Sequence, residues 1–423
     1  MLRFAFSPTH DMHIGDLRLA LLNYIVAKQT NEDFIVRVDD GEKEKNIEKK
    51  DQEFLDLLGL FNLDYSQIIH QSQNFKFHSA MALQLLHEKK AFSCFCSDEW
   101  LENKRQEAIK EDKEYYYDDA CRNLPAELVI DNTAPFRVRI VRPNHPIIVH
   151  DKIKGELSFK PNQVDSFTIL HQDKTPTKEF SSSIDDMLND ISLVIQDEIQ
   201  LDVTPKEVHI RKELGYEKEI EYAHLPPIKN AQTYTVKELL EDGYLPEAIA
   251  NYLLLLTIDI QNKIFTLEEA VEAFTFETIK KSLNEFDITE LQRINKEHMK
   301  RMDATELSRY VGFADAEIGE LARIYLEEVS TTRELKTKIA PIFEPRVIPK
   351  EQEEAISLLK DAILKAEYFQ EYSDFKADIM KKTALTEEAF SQALRLLLTN
   401  RQSGPELSEI YKYLKNYMGE LIK

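Results

Sequence analysis

The feature that most constrains this chain is its start. A five-residue apolar run, Leu2 to Phe6, is broken at once by Ser7-Pro8-Thr9, and His13-Ile14-Gly15-Asp16 then opens a helical pattern. Leu17, Leu19, Ala20, Leu21, Leu22 and Tyr24 continue it with apolar side chains. Strand, polar turn and helix N-terminus together suit a phosphate, because free N–H groups and the helix dipole face an anion. The same pattern also opens an ordinary α/β domain, so the chemistry has to be found in further residues.

Residues 1 to about 80 keep alternating strand and helix. Phe34-Ile35-Val36-Arg37-Val38 reads as a second strand, with Asp39-Asp40-Gly41-Glu42 at its C-terminal end. Carboxylates at such ends line the ligand crevice of doubly wound sheets, though a solvated acidic turn has the same composition. The 423 residues predict two to four domains, and 43% hydrophobic with 31% charged residues is the balance of a soluble globular chain. No run approaches the roughly 18 apolar residues of a membrane span, and no signal segment precedes the first strand, so a cytoplasmic protein is expected. A net charge of −22 argues against non-specific nucleic-acid binding but leaves room for local basic patches. Ten glycines imply few flexible loops and much helix, and three cysteines do not make a disulfide framework.

Arg3-Phe4-Ala5-Phe6-Ser7-Pro8-Thr9 followed by Met12-His13-Ile14-Gly15 resembles the opening of the glutamyl-tRNA synthetases, R-F-A-P-S-P-T-G-x-L-H-I-G. The resemblance implies a class I Rossmann-type nucleotide-binding domain, with Arg3 and Ser7 on the amino acid and the His-Ile-Gly segment on ATP phosphates. Asp39 takes the place of a glutamate that contacts the substrate amino group. Three positions depart from the pattern: Phe6 for proline, His10 for glycine, and Asp16 at the fourth position of the HIGH signature. Aspartate is a favoured helix N-cap, which predicts that Asp16 caps a helix starting at Leu17.

From about 85 to 165 the chain resembles the α+β insertion that grips the tRNA acceptor end in this family. Phe136 to Val141, Pro146 to His150 and Gly155 to Phe159 alternate like strands, and Gln163 to Leu170 is expected to return to the nucleotide fold. All three cysteines fall here, as Cys94-x-Cys96 and Tyr117-x-x-x-Cys121. Two thiolates one residue apart, joined by ligands from a distant loop, can close a tetrahedron around zinc, and reduced cysteines near a core are the alternative. Some glutamyl-tRNA synthetases and their relatives carry zinc at this place, with a tyrosine or histidine as fourth ligand. Asn123 stands just after Cys121 where a histidine would be, so the resemblance points to Cys94, Cys96, Tyr117 and Cys121.

Lys174 to Asp186 is similar to the family's G-x-P-T-Y-x-F-A-x-x-V-D-D-H segment, with Lys178 in place of the tyrosine and Met187 in place of the histidine. Val194-Ile195-Gln196-Asp197-Glu198 stands at V-I-R-G-E, so Gln196 replaces an arginine of the glutamate pocket. An arginine fork binds a carboxylate bidentately with full charge, whereas a glutamine offers weak donors and an acceptor. Lys178 is the residue able to supply charge from another side.

Tyr222-Ala223-His224-Leu225-Pro226 matches the family's A-H-L-P, after which a K-L-S-K-R loop is expected. The chain instead runs Pro227-Ile228-Lys229-Asn230-Ala231-Gln232-Thr233-Tyr234, about nine residues short before Gly243 and without K-x-S-K. Groups of that kind contribute ~2.7–4 kcal/mol each to a transition state. Gly243 to Leu256, Ile264 to Ala270 and the Gly404-Pro405 segment resemble the family's helical half, so the likeness spans the chain.

The resulting expectations are a Rossmann catalytic domain (1–84 and 166–225), an acceptor-binding insertion (85–165), a stem-contact helical domain (226–310) and a helical anticodon-binding domain (311–423). The implied reaction is glutamate attachment to tRNA through a glutamyl adenylate. His13 and Gly15 are the catalytic residues and Arg3, Ser7, Asp39, Lys178 and Gln196 bind substrate. Ser7, His13, Gly15 and Arg18 bind ATP, which carries Mg as its counter-ion, and Arg18 is expected on the neighbouring surface. Zinc is the structural metal, tRNA and glutamate are the partners, and a monomer without a membrane partner is expected. The alternative is a catalytically silent paralogue that binds tRNA or a protein partner.

Overall fold

The computed structural model describes residues 1–113, 115–282 and 284–422, leaving aside the side chain of residue 126. Strand β1 (Leu2–Phe6) runs into helix α1 (Ile14–Thr30), then β2 (Phe34–Val38), α2 (Lys50–Leu60), β3 (Gln67–His70) and α3 (Phe75–His87). β1 and β2 are paired in parallel from Leu2 opposite Phe34 to Phe6 opposite Val38. Both are covered on both faces, as parallel strands between helices are, and each carries one buried arginine, Arg3 and Arg37.

The next stretch holds β4 (Ala91–Cys94), α4 (Asp98–Lys110), α5 (Ala126–Ile130), β5 (Arg137–Ile140), β6 (Ile147–Asp151), β7 (Gly155–Phe159) and β8 (Thr168–Leu170). Then come α6 (Lys178–Leu188), β9 (Leu193–Asp197), α7 (Thr204–Glu213) and β10 (Glu221–Leu225). The central sheet has seven strands in the order β3-β2-β1-β9-β10-β6-β7, parallel except for the β6–β7 hairpin. A mostly parallel sheet flanked by helices is the expected Rossmann-type core, and a helical half follows it.

Three local expectations change. β6 and β7, read from sequence as part of the insertion, join the central sheet instead, β6 pairing in parallel with β10 through Asp151 and Tyr222. Alternation along Ile147, Val149 and Asp151, all buried, gives β6 an inner face that a large sheet can use as well as a small one. β8, expected to return to the nucleotide fold, closes the separate antiparallel sheet β4-β5-β8. Helix α1 starts at Ile14 rather than Leu17, which makes His13 its N-cap.

The chain divides into two compact units, residues 1–237 with 253–286, and 238–252 with 287–423. The second is helical from Ile288–Arg301 to Met418–Leu421. Within it Gly243 adopts φ +89, and a Cβ there would lie 2.5 Å from the Arg333 backbone nitrogen, so both the backbone and the space require glycine. Among the described residues no helix is long and apolar enough to cross a membrane.

Candidate functional site

The C-terminal ends of β1, β2 and β9 and the N-terminus of α1 surround a cavity of about 890 Å³. Crossover connections leave this end of a parallel sheet open, which is where doubly wound folds bind ligands. Ser7 and Asp39 reach it as the first residues past β1 and β2, and Gln196 and Asp197 as the last two of β9.

Under the cavity lies a buried charge network. Arg3 grips Asp186 with Nε on Oδ1 at 2.9 Å and Nη2 on Oδ2 at 3.1 Å. Arg37 bridges to the same carboxylate at 2.7 Å, to Asp39 at 2.7 Å and to the Ser182 hydroxyl at 3.0 Å. Burial would raise the Asp186 carboxyl, yet the two guanidinium groups hold it below its usual range. Burial likewise opposes the Arg37 charge, but Asp39 and Asp186 outweigh it and raise its pKa. The neighbouring Asp185 is also enclosed, receiving His78 at 2.9 Å, Asn74 at 2.9 Å and Gln71 at 3.1 Å.

Over this network stands Lys178. Its ammonium lies 3.3 Å from the Ser7 hydroxyl and 3.8 Å from an Asp39 oxygen, and its side chain is 61% exposed. The sequence-predicted substrate residues Arg3, Ser7, Asp39, Lys178 and Gln196 therefore line one cavity with His13, Gly15 and Arg18. Arg18 is not at a surface: it is buried, pairs with Asp197, and donates to the Pro226 carbonyl at 2.8 Å.

At the helix N-terminus the chain supplies its own acceptors. An Asp16 oxygen accepts the His13 backbone N–H at 2.9 Å, so Asp16 caps from the third helical position rather than as N-cap. The Ile14 N–H donates to the Tyr234 carbonyl at 3.3 Å, and Val236 N–H to Met12 at 2.8 Å. The shortened segment thus packs directly on this end, with Ala231 Cβ 3.6 Å from where a Gly15 Cβ would be. His10 stacks on His13 with centroids 5.6 Å apart and lies 3.4 Å from Asp16. The Asp16 hydrogen bond raises the His10 pKa against partial burial.

Gln196 turns away from these cations. Its Nε2 lies 3.1 Å from Thr204 Oγ1 and 3.0 Å from His224 Nε2, and the other ring nitrogen of His224 meets Asp151 at 2.5 Å. Sequence reasoning did not assign Arg37, Asp151, Asp186, Thr204 or His224 to the site. His224 and Asp186 lay inside quoted motifs, but Asp151 carried no local signal because its partner is 73 residues away.

The three cysteines converge in the smaller sheet, their sulfurs all within 4.8 Å of one another. Cys96 and Cys121 sulfurs are 3.6 Å apart, and the buried Tyr117 hydroxyl lies 3.4 Å from Cys94 and 3.5 Å from Cys96. A disulfide needs about 2.05 Å, so these are free thiols. Four donors around zinc at about 2.3 Å would stand about 3.8 Å apart, close to these spacings. Burial and the neighbouring thiols push Cys96 up to about 12, a proton that a bound cation would displace. Arg139 lies over the Tyr117 ring at 3.9 Å. A second cavity of about 1560 Å³ begins at Ser7, Asp39 and Lys178 and extends to Arg137, Arg139 and Lys206.

Comparison with known proteins gives a consistent set of likenesses. The model of the tRNA synthetases class I (E and Q), catalytic domain, matches residues 1–293. Glutamate–tRNA ligase 2 of Sulfurimonas denitrificans is 55% identical, with 100% of both chains covered. Glutamate–tRNA ligase 1 of a Nitratiruptor species is 46% identical over the same full extent. Both alignments run over 432 positions, nine more than the 423 residues here. A crystal structure of a glutamate tRNA ligase from Elizabethkingia meningosepticum in complex with its amino acid superposes with TM-score 0.81 at 21% identity. It covers 99% of this chain and 97% of that one, and shows the shared fold.

Proposed function

This chain belongs to the glutamyl-tRNA synthetase family of class I synthetases, and from that premise we propose that its cavity serves ATP-dependent attachment of glutamate to tRNA. The observation that carries the reading is the meeting of Arg3, Ser7, Asp39 and Lys178 with His13 and Gly15 in one cavity. Ser7, Lys178 and Asp39 hold the amino acid above the Arg3–Asp186 pair, and Gln196 lines its far side. Ser7, His13, Gly15 and Arg18 form the wall for ATP, whose phosphates bring magnesium as counter-ion. A substrate carboxylate attacks the α-phosphate, pyrophosphate leaves, and the acyl group passes to a tRNA hydroxyl as AMP departs. The larger cavity, with Arg137, Arg139 and Lys206, suits the backbone of the acceptor end.

We assign the region 85–165 to acceptor contact, 226–310 to stem contact and 311–423 to anticodon binding, in a cytoplasmic monomer. Cys94, Cys96, Cys121 and Tyr117 would hold one structural zinc, which locks the β4 turn to the 117–121 loop.

A second reading, the catalytically silent paralogue that binds tRNA or a protein partner, is favoured by one observation. The first N–H groups of α1 are already taken by Asp16 and Tyr234, and no lysine stands between Asn230 and Val236. Phosphates would have to displace these acceptors without a mobile cation to meet them. Glutamate-dependent ATP–pyrophosphate exchange with tRNA present decides between the two. Robust exchange sinks the silent reading, and absent exchange with tight tRNA binding sinks the ligase reading.

A further inference from the structure

Gln71, the first residue past β3, is only 3% exposed and lies in the wall of the larger cavity. Its amide is held from behind by Asp185, a buried residue of α6. Asp185 Oδ2 takes Gln71 Nε2 at 3.1 Å, and Oδ1 takes Asn74 Nδ2 and His78 Nε2, both at 2.9 Å. A carboxylate accepts and does not donate, so each of the three groups must turn an N–H toward it. That fixes the amide, with Nε2 facing Asp185 and Oε1 facing away. A reversed amide would set oxygen against oxygen and leave a buried carboxylate oxygen without that donor.

The segment around it is pinned as well. Ser72 donates to Asp40 from its backbone N–H at 2.7 Å and from its hydroxyl at 2.6 Å. Gln71 Oε1 stands 3.6 Å from where a Gly41 Cβ would lie, with the Phe75 ring 3.5 Å from the same point. Gly41 is two residues past Asp39, so this oxygen sits beside the loop where the two cavities meet. Ser7, Asp39 and Lys178 line both cavities, whereas Gln71 and Gly41 line only the larger one. Among the described residues no donor is placed on Gln71 Oε1. An oriented acceptor in a cavity wall calls for a donor on the ligand. The phosphates of a nucleic-acid end offer none, and suit Arg137, Arg139 and Lys206 instead. The terminal ribose offers two hydroxyls, and one of them must arrive at this junction if an acyl group is to reach it.

We propose that Gln71, aimed by Asp185, accepts a hydrogen bond from a hydroxyl of the terminal ribose of a tRNA acceptor end and so sets that ribose where the two cavities meet. The proposal rests on reading the larger cavity as the acceptor-end site, and it leaves the amino-acid site as described. Only one of two vicinal hydroxyls can take the acyl group, which leaves the other to donate to Gln71. The enclosed Asp185, His78 and Asn74 never touch the nucleotide; they hold the amide that does.

Titration of the full chain with intact tRNA, and with tRNA whose last nucleotide lacks the 2′ or the 3′ hydroxyl, tests this. In the wild type, loss of one of the two hydroxyls is expected to weaken binding about three- to tenfold, the worth of one neutral hydrogen bond. Gln71→Met is expected to weaken intact tRNA by a similar factor and to erase the difference between intact and deoxy ends, because both changes remove the same bond. Should Gln71→Met fail to fold, Gln71→Asn keeps a buried amide one methylene shorter and is expected to erase the difference too. A merely structural role would weaken all three tRNAs alike and keep the hydroxyl dependence. That outcome overturns the proposal, as does equal binding of the three tRNAs by the wild type, or binding of none. Glutamate-dependent pyrophosphate exchange by the wild type separates the two readings. Binding that depends on both Gln71 and a hydroxyl, without exchange, supports the ribose contact and sinks the ligase reading. Robust exchange with binding indifferent to the hydroxyls sinks the ribose contact alone.

Discussion

Arg3 and Asp186, 183 residues apart in sequence, form a two-pronged buried ion pair at 2.9 and 3.1 Å beneath the cavity. Arg37 shares the same carboxylate at 2.7 Å, so one aspartate balances two guanidinium groups. Removing a single member leaves an unpaired buried charge, which costs about 3–5 kcal/mol. Asp186→Asn is expected to lower urea stability by that order at pH 7.

The same carboxyl sets an acid dependence. Its folded pKa is depressed, so its contribution is complete above the unfolded value near 3.8 and is lost as pH falls below it. The stability difference between the wild type and Asp186→Asn is therefore expected to be smaller at pH 3 than at pH 7, when both are measured in urea.

Phe6, where the family has proline, is stacked on Phe54 at 4.2 Å with an 8° interplanar angle, and both rings are buried. This departure takes part in the packing of α2 on β1. Phe54→Ala is expected to cost about 3–5 kcal/mol in chemical denaturation. A loss below about 1 kcal/mol would show that the stack is not holding α2 in place.

Restoring a loop should restore chemistry. Insertion of a nine-residue segment carrying K-L-S-K-R between Asn230 and Thr235 is expected to raise pyrophosphate exchange about 10²–10³-fold, the worth of one well-placed charge-stabilising group. An unchanged rate with the inserted chain folded would place the defect elsewhere, at Asp16 or Gln196.

Elemental analysis of the purified protein is expected to give one zinc per chain, falling to none in Cys94→Ser. Tyr117→Phe keeps three thiolates and should bind zinc more weakly. Chelation should lower the melting temperature of the wild type and leave Cys94→Ser unmoved. A wild type that contains no zinc and does not respond to chelator removes the metal from the account.

The parallel core was legible because β1 and β2 are short, largely apolar runs closed by polar residues and α1 is a long, mostly apolar run between them, all within the first thirty-eight residues. The cavity was legible where its residues sit at strand ends, as Ser7, Asp39 and Gln196 do. What stayed hidden was pairing at long range. The sequence places Lys178 in a pocket but cannot say that Ser7 and Asp39 are the groups it meets. It marks Asp16 as a cap, yet α1 begins at Ile14, whose N–H meets the Tyr234 carbonyl, so Asp16 caps from the third helical position instead of as N-cap. The alternation of β6 suits either sheet and β8 is only three residues long, so only tertiary contacts decide which one each joins.

The β6–β7 hairpin ends at Asp151 opposite Gly155, and the period of a strand is two. A slip of one residue in its pairing with β10 would carry Asp151 to the other face of the sheet and leave His224 without its anchor. The polar contacts around Gln196 at the centre of the fold are thus keyed to the alignment of an edge hairpin, like a lock whose setting is held in the frame of the door.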